Sequence, residues 1–303
     1  MSPTDHVRIV EVALRDGLQN ETTILATQSK LALIDALVRA RLSDIEVTSF
    51  VSPKLIPQLA DAFDVASRLP SVENVNFSAL TPNAVGVRRA RRAGLSHVAI
   101  FLSASRTHNL KNLHRTTEAS LDLYRSLFAD GLLSGLRVRG YVSTVLGCAY
   151  EGDIAPGPVV ELTEALLDMG CAEVSLGDTI GVGSPRLVRD LVRAVSASCP
   201  MERLALHLHD TRGLALANAL AGLDMGIRIF DTSIAGLGGC PFAPGATGNL
   251  ATEDLAWALA REGVATGLDL DRLWEAGVMA ERLVGRPLPG KVHQAGVRYR
   301  AAH

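Results

Sequence analysis

Ala172-Glu173-Val174-Ser175-Leu176-Gly177-Asp178, then PRLVRDLVRAVSAS over 185–198, then Arg203-Leu204-Ala205-Leu206-His207-Leu208-His209-Asp210: this stretch decides the fold. An apolar run, a segment with helical periodicity and a second apolar run follow in order, which reads as strand, helix, strand. Such a unit implies two parallel strands joined by a right-handed crossover. Both apolar runs also end on reactive side chains, Asp178 in the first and His207 and His209 in the second.

The same unit recurs along the chain. Strands are predicted near 7–13, 44–49, 74–79, 97–102, 137–143, 172–177, 203–208 and 228–234. Helical periodicity fills 30–41, 82–93, 118–129, 159–169, 185–198 and 214–225. Eight β/α units predict an α/β fold, a closed (β/α)8 TIM barrel with extra C-terminal helices. An open doubly wound sheet is the competing reading, and it lacks a Gly-x-Gly-x-x-Gly after the first strand. Two further helical segments, about 253–262 and 271–284, follow the eighth strand. We therefore read 1–303 as a single TIM-barrel catalytic domain, with 250–303 as an appended helical cap.

Composition narrows the function. The chain has 303 residues, 48% hydrophobic and 20% charged, with a net charge of -2. That balance argues against a nucleic-acid partner, which a basic surplus would mark, and against disorder. No apolar run is long enough to predict a membrane span. The start, Met1-Ser2-Pro3-Thr4-Asp5, predicts no signal peptide, and Ala301-Ala302-His303 shows no targeting signal. Cys148, Cys171, Cys199 and Cys240 are too few and scattered for a disulfide framework. A reduced, cytoplasmic setting is the expectation.

Active sites of barrels lie at the C-terminal ends of the strands, and reactive residues collect there. Leu14-Arg15-Asp16-Gly17-Leu18-Gln19 follows strand one, Glu46 lies in strand two, and Asp178 ends strand six. His207 and His209, two apart on a strand, point to the same side. Two imidazoles plus a carboxylate suit a divalent metal; the alternative is a pair of hydrogen-bonded rim histidines. Asp16 is the natural carboxylate partner, unless it serves a turn or helix cap. Arg15 offers a planar fork of donors. Glu46, a carboxylate inside an apolar run, pairs with Arg15, works in catalysis, or does both. Residues 236–249 hold Gly236, Gly238, Gly239, Gly245 and Gly248, a tightly shaped or mobile loop beside the site. Cys240 on that loop is a candidate acid/base or nucleophile.

These motifs resemble the 3-hydroxy-3-methylglutaryl-CoA lyase family, metal-dependent carbon–carbon lyases built on TIM barrels. The resemblance rests on Glu11 to Glu21, Ile45 to Lys54, Ser175 to Gly183, the His-x-His and the whole loop 236–249. It spans nearly the full chain. The cysteine loop is specific to the lyase branch, whereas the first motif and the His-x-His are shared with related synthases and aldolases. The resemblance implies Mg2+ or Mn2+ held by Asp16, His207, His209 and Asn249. It implies an acyl-CoA thioester substrate contacted by Arg15, Gln19 and Ser52, and Arg106 is a further candidate contact read from this chain itself. It also implies catalytic roles for Cys240, Arg15, Glu46 and Asp178, with Glu46 or Asp178 as base. The reaction implied is cleavage of 3-hydroxy-3-methylglutaryl-CoA to acetyl-CoA and acetoacetate, with a place in leucine degradation and ketone body formation, in a homodimer. Two other readings stay open, a citramalyl-CoA-type lyase and a condensing synthase or aldolase acting on an oxo acid. The chain departs from the pattern at Arg106, where the family has glutamate, at His108, where it has phenylalanine, and at Thr22, where lysine is common. Arg106 either faces an extra substrate carboxylate or is an exposed rim residue.

Overall fold

Eight parallel strands close on themselves in sequence order, β1 pairing with β8. A computed structural model describes residues 6–240 and 243–297; the side chains of residues 240 and 243–246 lie outside that description. The chain runs β1 (Arg8–Glu11), α1 (Thr27–Arg39), β2 (Asp44–Ser49), α2 (Ala62–Ala66), β3 (Asn76–Leu80), α3 (Ala84–Arg92), β4 (His97–Ser103), α4 (Arg106–Leu113) and α5 (Thr117–Ala129). It continues with β5 (Arg137–Ser143), α6 (Pro156–Met169), β6 (Glu173–Asp178), α7 (Pro185–Ser196), β7 (Leu204–Leu208), α8 (Ala215–Asp224) and β8 (Ile229–Thr232). A two-stranded hairpin, β9 (Gly239–Cys240) and β10 (Ala243–Thr247), precedes α9 (Thr252–Arg261), α10 (Leu270–Val284) and α11 (Lys291–Ala295). This is the closed barrel that the strand and helix periods predicted. Within the segment read as an appended cap, α9 neighbours α8, and α10 lies against both α9 and α1.

Period-2 alternation splits each strand between two environments. One set of residues, including Ile9, Ile45, Val98, Ile100, Val138, Val174, Leu204 and Phe230, joins the helices in a single large core. The other set faces the barrel interior. There Val10, Val12, Ala205 and Ile229 form one small apolar cluster, and Leu80, Ala99 and Tyr141 form another. Charged side chains fill much of the rest, and each is paired, as burial demands. Arg139 meets Glu173 and Asp231, and Arg8 meets Asp44 and Glu173.

Side-chain caps fix where several of the helices begin. Ser184 accepts a hydrogen bond from the Leu187 amide ahead of Pro185, and Ser105 does the same for His108 at the start of α4. Each cap therefore terminates a loop on the strand-exit side of the barrel, which is where the reactive residues stand.

Candidate active site and metal centre

β1 stops at Glu11 because the chain tightens into a π turn, Ala13–Gly17. The amides of Arg15, Asp16 and Gly17 all meet the Val12 carbonyl, at 3.1, 2.8 and 3.2 Å. That turn lays Arg15 and Asp16 across the barrel mouth. β7 supplies His207 from its body and His209 just past its end. Asn249 arrives from the loop, which returns antiparallel along the end of β7. Asp210 N donates to Gly248 O at 2.6 Å, Leu250 N donates to Leu208 O at 3.0 Å, and His209 bridges Asn249 between them. Gly238 makes this return possible. Its φ is +133°, and a Cβ there would sit 2.8 Å from Asn249 Nδ2.

Asp16, His207 and His209 are buried, and their ligand-type atoms all lie within 4.8 Å of one another. Among the described residues this is the one such cluster of His, Cys, Asp and Glu. His207 Nε2 and His209 Nε2 lie 3.1 Å apart, with Asp16 Oδ2 3.9 and 3.7 Å from them. Asn249 Nδ2 donates to Asp16 Oδ2 at 3.0 Å and to Leu237 O at 3.3 Å. Two imidazole nitrogens this close oppose lone pair to lone pair unless a proton or a cation stands between them. With a carboxylate oxygen facing the same point, the donor set fits a divalent cation with mixed nitrogen and oxygen ligands.

The surroundings hold the Asp16 carboxyl ionised. Arg15 donates from Nε to Glu46 and from Nη1 to Asp16. Burial alone would push the Asp16 carboxyl up, but Arg15 beside it holds it well below the usual range. Burial likewise works against the Arg15 charge, and Glu46 and Asp16 outweigh it, so the guanidinium stays protonated. Tyr141 donates to Glu46 Oε2 at 3.2 Å, and the Arg15 guanidinium lies 5.4 Å from the centre of its ring. Below, Asp231 Oδ2 lies 3.2 Å from His207 Nδ1. Burial would raise the Asp231 carboxyl, yet Arg139 and His207 hold it at about 2.

Comparison with known proteins matches residues 6–279 to the HMGL-like family model. The chain belongs to the HMGL-like family. It is 49% identical to the mitochondrial hydroxymethylglutaryl-CoA lyase of Bos taurus over 95% of this chain and 89% of the relative. It is 46% identical to hydroxymethylglutaryl-CoA lyase YngG of Bacillus subtilis, covering 94% of this chain and 95% of that one. The crystal structure of the Bacillus subtilis HMG-CoA lyase superposes with a TM-score of 0.94 at 45% identity, over 96% of this chain and 98% of that one. An HMG-CoA lyase from Acinetobacter baumannii, solved with coenzyme A and 3-methylmalate, superposes at 0.95 with 37% identity over 100% of each chain.

The HMGL-like barrel treats the remaining expected site residues unequally. Gln19 Nε2 donates to Asp16 Oδ1 at 3.2 Å, which joins it to the cluster. Asp178 is buried at the end of β6, where its oxygens accept from Val182 N at 3.1 Å and Gly183 N at 2.9 Å. Burial raises its pKa. Ser52 is exposed in the turn after β2, with its carbonyl accepting from Leu55 N and Ile56 N. Arg106 points into solvent at the start of α4 and pairs with Glu118 at 2.6 Å, so it is not brought into the cluster. The backbone of Cys240 pairs with Ala243 in the hairpin, while its side chain lies outside the described residues.

Several buried residues around this HMGL-like site escaped the sequence reading. Arg139, Tyr141 and Asp231 were absorbed into apolar strand runs, although a charged residue within such a run is the signal that singled out Glu46. Glu11, named only as the start of the first motif, and Glu253 were given no role. Glu11 accepts from the Ala13 and Ile234 amides and from Thr252 Oγ1, and Glu253 accepts from the Ala235 amide. Burial pushes Glu11 up to about 7 and Glu253 up to about 8. Together they pin the chain where β8 leads into the glycine loop.

Proposed function

We propose that this chain is a carbon–carbon lyase that cleaves 3-hydroxy-3-methylglutaryl-CoA to acetyl-CoA and acetoacetate, using Mg2+ or Mn2+. The observation that carries the reading is the convergence of Asp16, His207 and His209 beside Arg15 at the strand-exit mouth. Asp16, His207, His209 and Asn249 would hold the cation. When bound, it would orient the substrate and lower the pKa of its hydroxyl.

The protein groups divide the remaining work. A base takes the proton of the tertiary hydroxyl, the alkoxide collapses to a ketone, and the neighbouring C–C bond breaks toward the thioester. Asp178 or Glu46 serves as the base: burial raises the proton affinity of Asp178, whose oxygens accept from the Val182 and Gly183 amides, and Glu46 is engaged by Arg15 on one oxygen and Tyr141 on the other. Arg15 offsets negative charge developing on the thioester oxygen. Cys240 delivers a proton to the departing acetyl-CoA enolate. Gln19 and Ser52 contact the substrate at the rim. A homodimer is part of the same reading, and analytical ultracentrifugation tests it.

The test is acetyl-CoA release from 3-hydroxy-3-methylglutaryl-CoA in the presence of Mn2+. Release of acetyl-CoA with acetoacetate supports the reading. Release only from citramalyl-CoA moves the acyl specificity. Condensation of acetyl-CoA with an oxo acid, and no cleavage, overturns the lyase.

A further inference from the structure

His207 hangs from a chain of charges that crosses the barrel interior. Its Nδ1 lies 3.2 Å from Asp231 Oδ2. The same oxygen accepts from Ser175 Oγ at 2.8 Å, and Asp231 Oδ1 accepts from Arg139 Nη2 at 2.6 Å. Arg139 is held in turn by Glu173 at 2.9 Å, and Glu173 also meets Arg8, which reaches Asp44 at 3.0 Å. Strand register explains the contacts. His207 on β7 stands opposite Asp231 on β8, and Arg139 on β5 stands opposite Glu173 on β6.

Resting on the cation site proposed above, we infer that Asp231 is a positioning residue that selects the tautomer of His207. A carboxylate accepts at both oxygens and donates at neither. His207 therefore carries its proton on Nδ1, and Nε2 keeps a lone pair directed toward Asp16 and His209. The opposite tautomer would put an N–H where a ligand atom is needed.

Arg139 makes the arrangement directional. In Asp231→Asn one oxygen becomes an NH2 of nearly the same size. Arg139 only donates, so the amide oxygen turns toward it and the NH2 faces Ser175 and His207. The Ser175 hydroxyl can rotate to accept. His207 Nδ1 can accept only if its proton moves to Nε2. The substitution thus inverts the ring instead of deleting a contact, as happens when the carboxylate of a hydrolase triad becomes an amide.

The experiment reads tautomer and metal separately. 15N-histidine NMR on the metal-free protein reports the tautomer, with His207 assigned by the signal lost in His207→Gln. Electron paramagnetic resonance reports Mn2+ binding. Wild type is expected to show Nδ1–H. Asp231→Asn is expected to show Nε2–H and bind Mn2+ roughly 10–100-fold more weakly. Ser175→Ala is expected to keep Nδ1–H and near-normal affinity. If Asp231→Asn keeps Nδ1–H, the inference falls, whatever its affinity. If that variant does not fold, the wild-type spectrum still decides, because Nε2–H there overturns the inference. Failure of wild type to bind Mn2+ sinks the cation site instead, and leaves the tautomer assignment to be judged on its own spectrum.

Discussion

Replacing Glu253 with Gln should make the protein more stable at alkaline pH and leave it nearly unchanged at acid pH. Glu253 is fully buried at the start of α9, and Oε2 accepts from the Ala235 amide at 2.7 Å. Ala235 has a φ of 52°, so this contact secures a left-handed residue at the entry to the glycine loop. The carboxyl titrates at about 8 instead of 4.5, because burial opposes its charge. Below about pH 4.5 both folded and unfolded chains hold the proton, and the carboxyl adds no pH dependence. As pH rises from there to about 8, the unfolded chain gives up the proton while the folded chain keeps it, so wild-type stability falls. At about 1.4 kcal/mol per tenfold change in proton affinity, the full loss is roughly 5 kcal/mol. Gln keeps the acceptor for Ala235 and never ionises. The stability difference between variant and wild type should therefore grow by about 3–4 kcal/mol between roughly pH 5 and pH 8. At a urea slope near 3 kcal/mol/M, that is a midpoint separation of about 1 M. Urea unfolding at several pH values measures it, and the subtraction removes every titration not coupled to Glu253, which leaves its neighbours Glu11 and Asp254 as the coupled groups. Parallel pH profiles for the two proteins would refute the reasoning.

Cys240→Ala should lower kcat by roughly a hundredfold or more while Mn2+ affinity stays near normal, since one proton donor is lost; steady-state kinetics and metal titration separate the two, and joint loss would make the residue structural. His209→Ala should weaken Mn2+ binding, read by calorimetry; unchanged affinity and stoichiometry would contradict its place as a ligand. Arg15→Lys keeps a charge but cannot serve Glu46 and Asp16 from one planar fork. Its kcat should fall by about two orders of magnitude, and kcat near wild type would show that the fork geometry is dispensable. Arg106→Ala should leave thermal stability within roughly 0.5 kcal/mol, because its pair with Glu118 is exposed. A large rise in KM for the thioester would place Arg106 on the substrate after all.

The barrel was legible because its signal repeats. Eight apolar runs alternate with helical segments, and a closed parallel sheet is what that order and number allow. The placement of Asp16, His207 and His209 followed from a rule that does not depend on detail, namely that barrel strands present chemistry at their C-terminal ends. The short elements were not legible. α2 and α11 have five residues each, too few for a helical period to show. The π turn at Ala13–Gly17 breaks a run that reads as strand through residue 13. Arg106 looked available at the mouth, but only its side-chain direction decides between substrate and solvent, and that depends on Glu118 twelve residues away. Asp231 was hidden for the opposite reason. Its importance comes from Arg139, Ser175 and His207, which are remote in sequence and adjacent only once strands five to eight are side by side.

Titrating metal-free protein with Mn2+ while following both the bound ion and acetyl-CoA release from 3-hydroxy-3-methylglutaryl-CoA tests the core of this account. Turnover should be negligible at the start, rise in step with occupancy, and level off at one ion per chain. Full turnover in protein stripped of metal, or activity that ignores how much Mn2+ is bound, would contradict it.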